Sequence, residues 1–433
     1  MRKFLHSLTF VTVALLCHVQ ASGKQIYRFQ ETHAVSLVDS IEIEQAQVNK
    51  SLTVIDSISQ ADAAAVATAA AAVAAVDSAA QPKKRNFFQR VIDYFGKANK
   101  EDYSKPFDFS IIGGPYYASD TKFGIGLVAA GLYRTDRSDT LLQRSSVSLK
   151  ASISTSLFYA FAINGMHIFP KDFARINYNF EFAVLPTYFW GIGYQHGADY
   201  NNKTKFKDLR FNVNVDGQFR CTDNLFVGPV IYGGIASANK IEDPSFFDGI
   251  QQRVTSFGGG FVLSYDSRDY PSDAYSGWYV RAMGLIMPKF AGNFGSTYWK
   301  TEFAVSNYFK AWRGAHIAWR LASTLCFGDV PWSQMPTFGD KSMRGYYFGQ
   351  YRDKCASDVT LELRQRIWKR IGAVVWVGAG TVFSDFKHLK DTRILPNAGV
   401  GFRWEFKKRV NVRLDVGFGK NTYGFEFNIN EAF

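Results

Sequence analysis

The sequence predicts an all-β fold: a 16-stranded antiparallel transmembrane β-barrel with a short helical N-terminal extension. Three observations carry this. Tyr423, Phe425, Phe427 and Ile429 alternate with Gly424, Glu426, Asn428 and Asn430, and Phe433 follows. That is the two-residue period of a strand with one greasy and one polar face, and a lipid-facing closing strand is expected over about 422–433. Aromatic residues make up 16% of the chain, alongside 36 Gly, yet the mean hydropathy is only −0.13. Polar on average but rich in aromatics and glycine suits a barrel whose lumen residues dilute its lipid-facing ones. Finally, the chain opens like an export signal. Arg2 and Lys3 precede an apolar run, Leu8 to Leu16, too short to span a bilayer, and Val19-Gln-Ala21 offers a cleavage site, so residues 1–21 read as a signal peptide.

Beyond residue 21 there is no run of about 20 strongly apolar residues, so no spanning helix is expected. Cys221, Cys326 and Cys355 form an odd, unpatterned set, which argues against a disulfide framework or a zinc site; no metal and no cofactor is expected. The net charge of +12 raises the possibility of nucleic acid. In an exported barrel, lipid phosphates and solvent answer these charges, and no nucleic-acid partner is expected.

Residues 22–107 differ in composition from the rest and read as an Ala-rich, amphipathic periplasmic extension, helical or disordered. Ala61 to Ala80 is nearly all Ala and Val, favourable for helix but too weakly apolar to enter a membrane. Phe87, Phe88, Val91, Ile92 and Phe95 share one helical face, the pattern of a helix lying on a membrane surface, plugging a barrel or packing on a turn.

Residues 108–433 read as the outer-membrane barrel. Strands are expected near 109–117, 123–134, 145–153, 155–168, 173–188, 205–220, 223–238, 256–268, 276–288, 298–311, 313–326, 356–369, 371–384, 396–406, 409–418 and 422–433, with a long interruption over 327–355. Val400, Phe402, Trp404 and Phe406 are expected to face outward, as are Val410, Val412, Leu414 and Val416. The connections at 169–172, 220–224, 311–314, 368–372 and 406–409 are tight, whereas the alternate ones read as long and polar, which assigns a periplasmic and an extracellular end.

Charges inside these strands are informative. Glu362, Arg364 and Arg366 oppose Val359, Leu361 and Leu363; Arg403 and Glu405 oppose Phe402 and Trp404; Arg413 and Asp415 oppose Val412 and Leu414. A charge facing lipid at mid-bilayer costs roughly 2–4 kcal/mol, so all seven are expected to line the lumen. The long interruption holds Lys341-Ser-Met-Arg-Gly-Tyr-Tyr-Phe-Gly349, where Arg344 offers a bidentate cation beside flexible Gly345. Folding this loop inward brings Arg344 toward Glu362.

Met343-Arg-Gly-Tyr346 resembles the Val-Arg-Gly-Phe/Tyr motif of the sixth extracellular loop in the BamA/TamA superfamily, the bacterial surface antigen barrels. Further stretches resemble that family in order: Gly113-Gly-Pro-Tyr-Tyr117 with Phe123-Gly-Ile-Gly126, Tyr188-Phe-Trp-Gly-Ile-Gly193, Asp266-Ser-Arg-Asp269 with Gly277, Glu362-Leu-Arg364, Gly378-Ala-Gly-Thr-Val382 and Ala398-Gly-Val-Gly-Phe-Arg403. The resemblance covers about residues 109–433. It implies a loop lock of Arg344, Gly345, Tyr346 and Glu362, and a turn motif of Asp266, Arg268, Asp269 and Gly277 in which Asp266 and Arg268 pair with each other or with turn backbone. The family's second acid for the arginine has Gly378 at its matching position, so Arg344 is expected to pair with Glu362 alone or with a substitute such as Asp385. The Pro common before Gly277 is absent. Residues 22–107 lack the pattern of polypeptide-transport-associated domains, so the chain reads as a stripped member.

The resemblance implies a cell outer-membrane barrel that inserts, translocates or exports a protein or lipid partner through a weak seam between its first and last strands. Its surroundings are outer-membrane lipids, including lipopolysaccharide, and the assembly machinery that inserts it reads a C-terminal signal of Tyr423, Phe425, Phe427 and Phe433. Gly113, Gly114 and Pro115 either weaken that seam or begin the first loop. The alternative is a passive or gated pore, or a surface antigen, without a client. An enzyme is not expected, because His33, His167, His196, His316 and His388 are scattered without an evident Ser partner.

Overall fold

A computed structural model describes residues 107–433 except 119–121, 137, 140–141, 272, 340–341 and 408. The signal-peptide, Ala-tract and amphipathic-helix expectations lie outside the described residues. Sixteen strands form one antiparallel sheet in sequence order. They are β1 (Phe107–Ala118), β2 (Lys122–Tyr133), β3 (Ser145–Ser154), β4 (Tyr159–Ile168), β5 (Ala174–Phe189), β6 (Thr204–Thr222), β7 (Leu225–Asn239), β8 (Arg253–Asp266), β9 (Gly277–Met287), β10 (Tyr298–Trp312), β11 (Ala315–Gly328), β12 (Cys355–Trp368), β13 (Ile371–Phe383), β14 (Leu395–Lys407), β15 (Val410–Gly419) and β16 (Thr422–Ile429). A five-residue helix, α1 (Tyr194–Ala198), caps the β5–β6 loop.

The period of two sorts the side chains. Phe123, Ile125, Leu127, Phe180, Phe182, Phe261, Leu263, Leu361, Val375, Val377, Val400, Phe402, Phe425 and Phe427 are exposed on the outer surface. Their neighbours Asp208, Asp216, Asp358, Glu362, Arg364, Arg403 and Asp415 are buried inside. An apolar belt this extensive is unstable in water and fits the hydrocarbon of a bilayer, where a curled sheet satisfies its backbone within the strands.

Three expectations are corrected. Val410 and Val412 are buried rather than turned to lipid. Val410 pairs with Lys407 across a register shift at the β14–β15 turn, and Val412 sits between Trp404 and Ile429. Trp404, Leu414 and Val416 are half-exposed, and the side chain of Phe406 lies outside the description. Long and short connections do not segregate cleanly: the loops 119–121, 155–158 and 420–421 are short at the end that carries loop 329–354, whereas 134–144 and 267–276 are long at the opposite end. The tightest hairpins still cluster at that opposite end, where Asn224, Gly314, Lys369 and Arg409 take the left-handed conformation a two-residue turn demands. Last, β16 stops at Ile429. Asn430, at φ 69°, turns the chain out of the strand, and residues 431–433 enter the lumen.

Gly113, Gly114 and Pro115 lie within β1, paired with Leu127, Gly126 and Ile125 of β2. The sheet curls until β16 lies beside β1. Among the described residues, no ladder joins these two strands.

Candidate functional site: a charge ring around a loop inside the barrel

Loop 329–354 folds into the lumen and forms much of the interior. Trp332 packs with Phe189, Phe206 and Phe247, while Val330 and Met335 pack with Met283, Met287 and Tyr298. Phe338, Met343, Tyr346 and Tyr351 pack with Tyr194 of α1, Val382 and Leu395. The Tyr188–Gly193 stretch reaches the loop through Gly193, whose N–H donates to the Arg352 carbonyl at 2.7 Å. Gly197 of α1 packs against the same loop: a Cβ on it would lie 2.3 Å from the Gln350 carbonyl oxygen.

The tip lies flat on the inner wall. Gly345 has φ 105°, and a Cβ there would sit 2.5 Å from the Gly417 carbonyl carbon, so only glycine permits this approach. Asn397 donates to the Arg344 carbonyl at 3.1 Å and Thr422 to the Gly345 carbonyl at 3.0 Å. The Tyr346 hydroxyl donates to the Pro396 carbonyl at 2.7 Å and accepts from the Lys420 N–H at 2.9 Å.

Arg344 is the centre of the site. One guanidinium nitrogen pairs with Glu362 of β12 and the other with Asp415 of β15 at 2.6 Å, while the guanidinium carbon lies 3.8 Å from the ring centre of Trp376 on β13. From these carboxylates a ring closes. Glu362 also accepts from Arg364 at 2.8 Å, and Asp415 from Arg403 at 2.5 Å. Glu431, beyond β16, bridges the two arginines: 2.9 Å from Arg403 and 3.8 Å from Arg364. Arg413 completes the cluster, 3.5 Å from both Asp415 and Glu426. The cluster is neutral: Arg344, Arg364, Arg403 and Arg413 face Glu362, Asp415, Glu426 and Glu431. Burial pushes the Glu431 carboxyl upward, but Arg403 and Arg364 more than offset this and hold it below the ordinary carboxylate range.

Thus the residues expected in the lumen mostly meet there, with differences. Arg366 and Glu405 lie 3.4 Å apart at the short-turn rim, and Arg366 is half exposed, donating to the Tyr275 hydroxyl at 2.9 Å. Asp385 does not reach Arg344; it sits in loop 384–394 and pairs with His388 at 2.9 Å. The second acid comes instead from β15, because Gly378 has no room: a Cβ on it would stand 2.3 Å from Asn397 Oδ1. Glu431 was not singled out from the sequence. It falls on the parity of Tyr423, Phe425, Phe427 and Ile429, so a continuing strand would have aimed its charge at lipid, and that conflict marks the strand's end.

Tyr423, Phe425 and Phe427 are exposed on the outer face of β16. Phe433 instead enters the barrel, packing on Tyr308 with ring centres 6.4 Å apart, and its carbonyl accepts from Arg364 at 3.1 Å. In the β8–β9 turn, Asp266 takes a two-pronged pair from Arg268 at 2.8 and 3.0 Å and a third contact from Arg175 at 3.3 Å. Asp269 accepts from the N–H groups of Tyr275 and Ser276. Gly277, at φ 110°, would place a Cβ 2.2 Å from the Ser267 carbonyl oxygen. This turn crosses the short-turn mouth: Arg409, between β14 and β15, lies 3.0 Å from Asp269, donates to the Asp273 carbonyl and stacks 3.6 Å from the Tyr275 ring centre.

His33 lies outside the described residues, and the described histidines are occupied elsewhere. His167 meets the Tyr133 hydroxyl at 2.8 Å, His196 meets Asn202, His316 stacks on Tyr275, and His388 pairs with Asp385. Among the described residues there is no cluster of three or more His, Cys, Asp or Glu arranged to hold a metal ion.

No protein-family profile and no curated protein matches the chain. Solved structures do. CdiB from Escherichia coli aligns at a TM-score of 0.51 and 10% identity over 75% of this chain and 62% of its own. BamA from Haemophilus ducreyi lacking POTRA domains 1–3 aligns at 0.48 and 14% over 74% and 70%. CdiB from Acinetobacter baumannii aligns at 0.46 and 12% over 75% and 60%. This chain therefore spans about three fifths of the CdiB chains. The chain shares the β-barrel fold of CdiB from Escherichia coli.

Proposed function

We propose that this barrel moves or inserts a protein partner at the outer membrane, with loop 329–354 locked in the lumen by Arg344 and with the seam between β1 and β16 as the opening. The single observation that carries the reading is the pairing of Arg344 with Glu362 and Asp415. A loop fixed so firmly across the lumen argues against free diffusion of solutes. The unladdered seam supplies the alternative route, since an unpaired strand edge in lipid is costly and is relieved by pairing with an incoming strand. The fold shared with BamA and CdiB structures is consistent with this, the chemistry needs no enzyme, and the surrounding lipids, including lipopolysaccharide, are its medium.

The test is depletion followed by complementation. Outer-membrane and surface proteins are quantified after depletion, then after re-expression of the wild type or of a variant with a cysteine pair across the seam, one on residues 109–113 and one on 425–428. One or more proteins should fall on depletion, recover with wild type, and recover with the cross-linked variant only after reduction. Full recovery with the seam covalently closed refutes the reading, and no fall in any protein favours a client-free pore or surface antigen.

A further inference from the structure

We propose that the segment 430–433 couples the end of β16 to the lock on loop 329–354, so that displacing β16 at the seam releases Arg344. The inference rests on the lock reading above and adds its regulation. Glu431 is anchored from three elements: Arg403 of β14, Arg364 of β12 and Asn411 of β15, whose amide donates at 2.8 Å. Asn430 starts the inward course, its N–H held by the Asn411 carbonyl at 2.8 Å. Phe433 seats on Tyr308 and beneath the Arg364 guanidinium, 5.2 Å from its ring centre.

These contacts tie β16 to the same charges that grip the loop. The buried cluster is balanced, four cations against four carboxylates. Drawing β16 outward withdraws both Glu426, which sits on that strand, and Glu431 just beyond it, and leaves the buried arginines in excess of their carboxylates. A buried charge without a partner is strongly unfavourable, and the excess is reduced by losing a cation. Arg364, Arg403 and Arg413 are fixed on strands. Arg344 alone sits on a loop, and it shares its two carboxylates with Arg364 and Arg403, which keep them when it leaves. By reciprocity, a loop that withdraws Arg344 leaves a negative excess and loosens Glu431.

The experiment is limited proteolysis of the full-length protein in detergent, following cleavage within loop 329–354. Glu431→Gln should speed cleavage by about five- to tenfold, the low end of an ordinary coupling energy. Glu431→Asp should restore most of the protection, and combining Glu431→Gln with Arg344→Ala should add little beyond Arg344→Ala alone. If Arg344→Ala speeds cleavage while Glu431→Gln leaves it at the wild-type rate, the coupling is refuted and the lock stands. If neither changes it, the lock itself fails. Should Glu431→Gln not fold, the reciprocal measurement decides. Phe433→Cys, in a Cys221→Ser background, should be labelled by a thiol reagent faster with Arg344→Ala than without it, and equal rates overturn the coupling.

Discussion

Arg344 and Asp415 stand 71 residues apart in the chain and 2.6 Å apart in the barrel. Asp415 also accepts from Arg403, so a single carboxylate on β15 binds the loop arginine to the wall. The loop is therefore held by two acids on opposite flanks of Trp376, one on β12 and one on β15.

Removing either acid leaves a buried guanidinium half-answered. Glu362→Gln and Asp415→Asn should each lower barrel stability by about 3–5 kcal/mol, read as a drop in the temperature at which the folded species is lost on heating in detergent. A loss confined to Glu362→Gln, with Asp415→Asn behaving as wild type, contradicts the two-acid arrangement.

Gly345→Ala should free the loop without touching a charge. The alanine Cβ meets Gly417 backbone at 2.5 Å in a left-handed conformation, and two such conflicts together cost on the order of 1–3 kcal/mol. Faster protease cleavage within 329–354 at unchanged strand content is the expected result; an unchanged rate means that the tip does not rest on β15.

Gly378→Asp offers a complementary check, since it installs an acid at the position where the sequence resemblance expects the second carboxylate. Here it should destabilise, because its Cβ falls 2.3 Å from Asn397 Oδ1 and 2.8 Å from the Val359 carbonyl oxygen. A higher unfolding temperature in this variant would show that the wall yields and that Gly378 is not sterically required.

The short-turn mouth should respond to pH through Asp273. Burial, then the nearby Glu431 carboxylate, push its carboxyl from 3.8 up to about 6. Its folded value exceeds its unfolded one, so the folded protein holds a proton that the unfolded chain releases between those values. Its contribution is fully favourable below about pH 4 and is lost as pH rises toward and past 6. Glu431 acts in the opposite sense, since its depressed value means stability falls as pH drops through the acid range. Asp273→Asn should therefore stabilise the fold at pH 7 by on the order of 1–3 kcal/mol, read as a higher unfolding temperature, and narrow the difference between pH 5 and pH 7. A parallel pH profile in wild type and variant would exclude Asp273 as the source.

Much of the wall was legible because the period of two is strict: Val359-Thr-Leu-Glu-Leu-Arg364 sorts into lipid and lumen faces by inspection, and its charges have only one affordable side. The Arg344–Glu362 contact was legible as well, since a cation beside glycine in a long loop has few buried acids to meet. Asp415 as the second acid was not. Its partner was sought by family position at Gly378 and by proximity at Asp385, whereas the decisive facts were the room taken by Asn397 and the depth at which Gly345 meets Gly417. The inward turn at Asn430 was readable in principle from Glu431, which breaks the apolar parity of β16, but a terminal aromatic masked the break. The crossing of the mouth by turn 267–276 left no periodic trace, because Arg409 meets Asp269 and Tyr275 across the barrel, not along a strand pair.

Single-channel conductance of the full-length protein in planar bilayers, beside Arg344→Ala and a variant lacking 329–354, reads whether the loop blocks the lumen. Low or fluctuating current is expected in the intact barrel, with more frequent openings in Arg344→Ala and a large steady current once the loop is gone. A large steady current through the intact protein, unchanged by either variant, would contradict a blocked lumen.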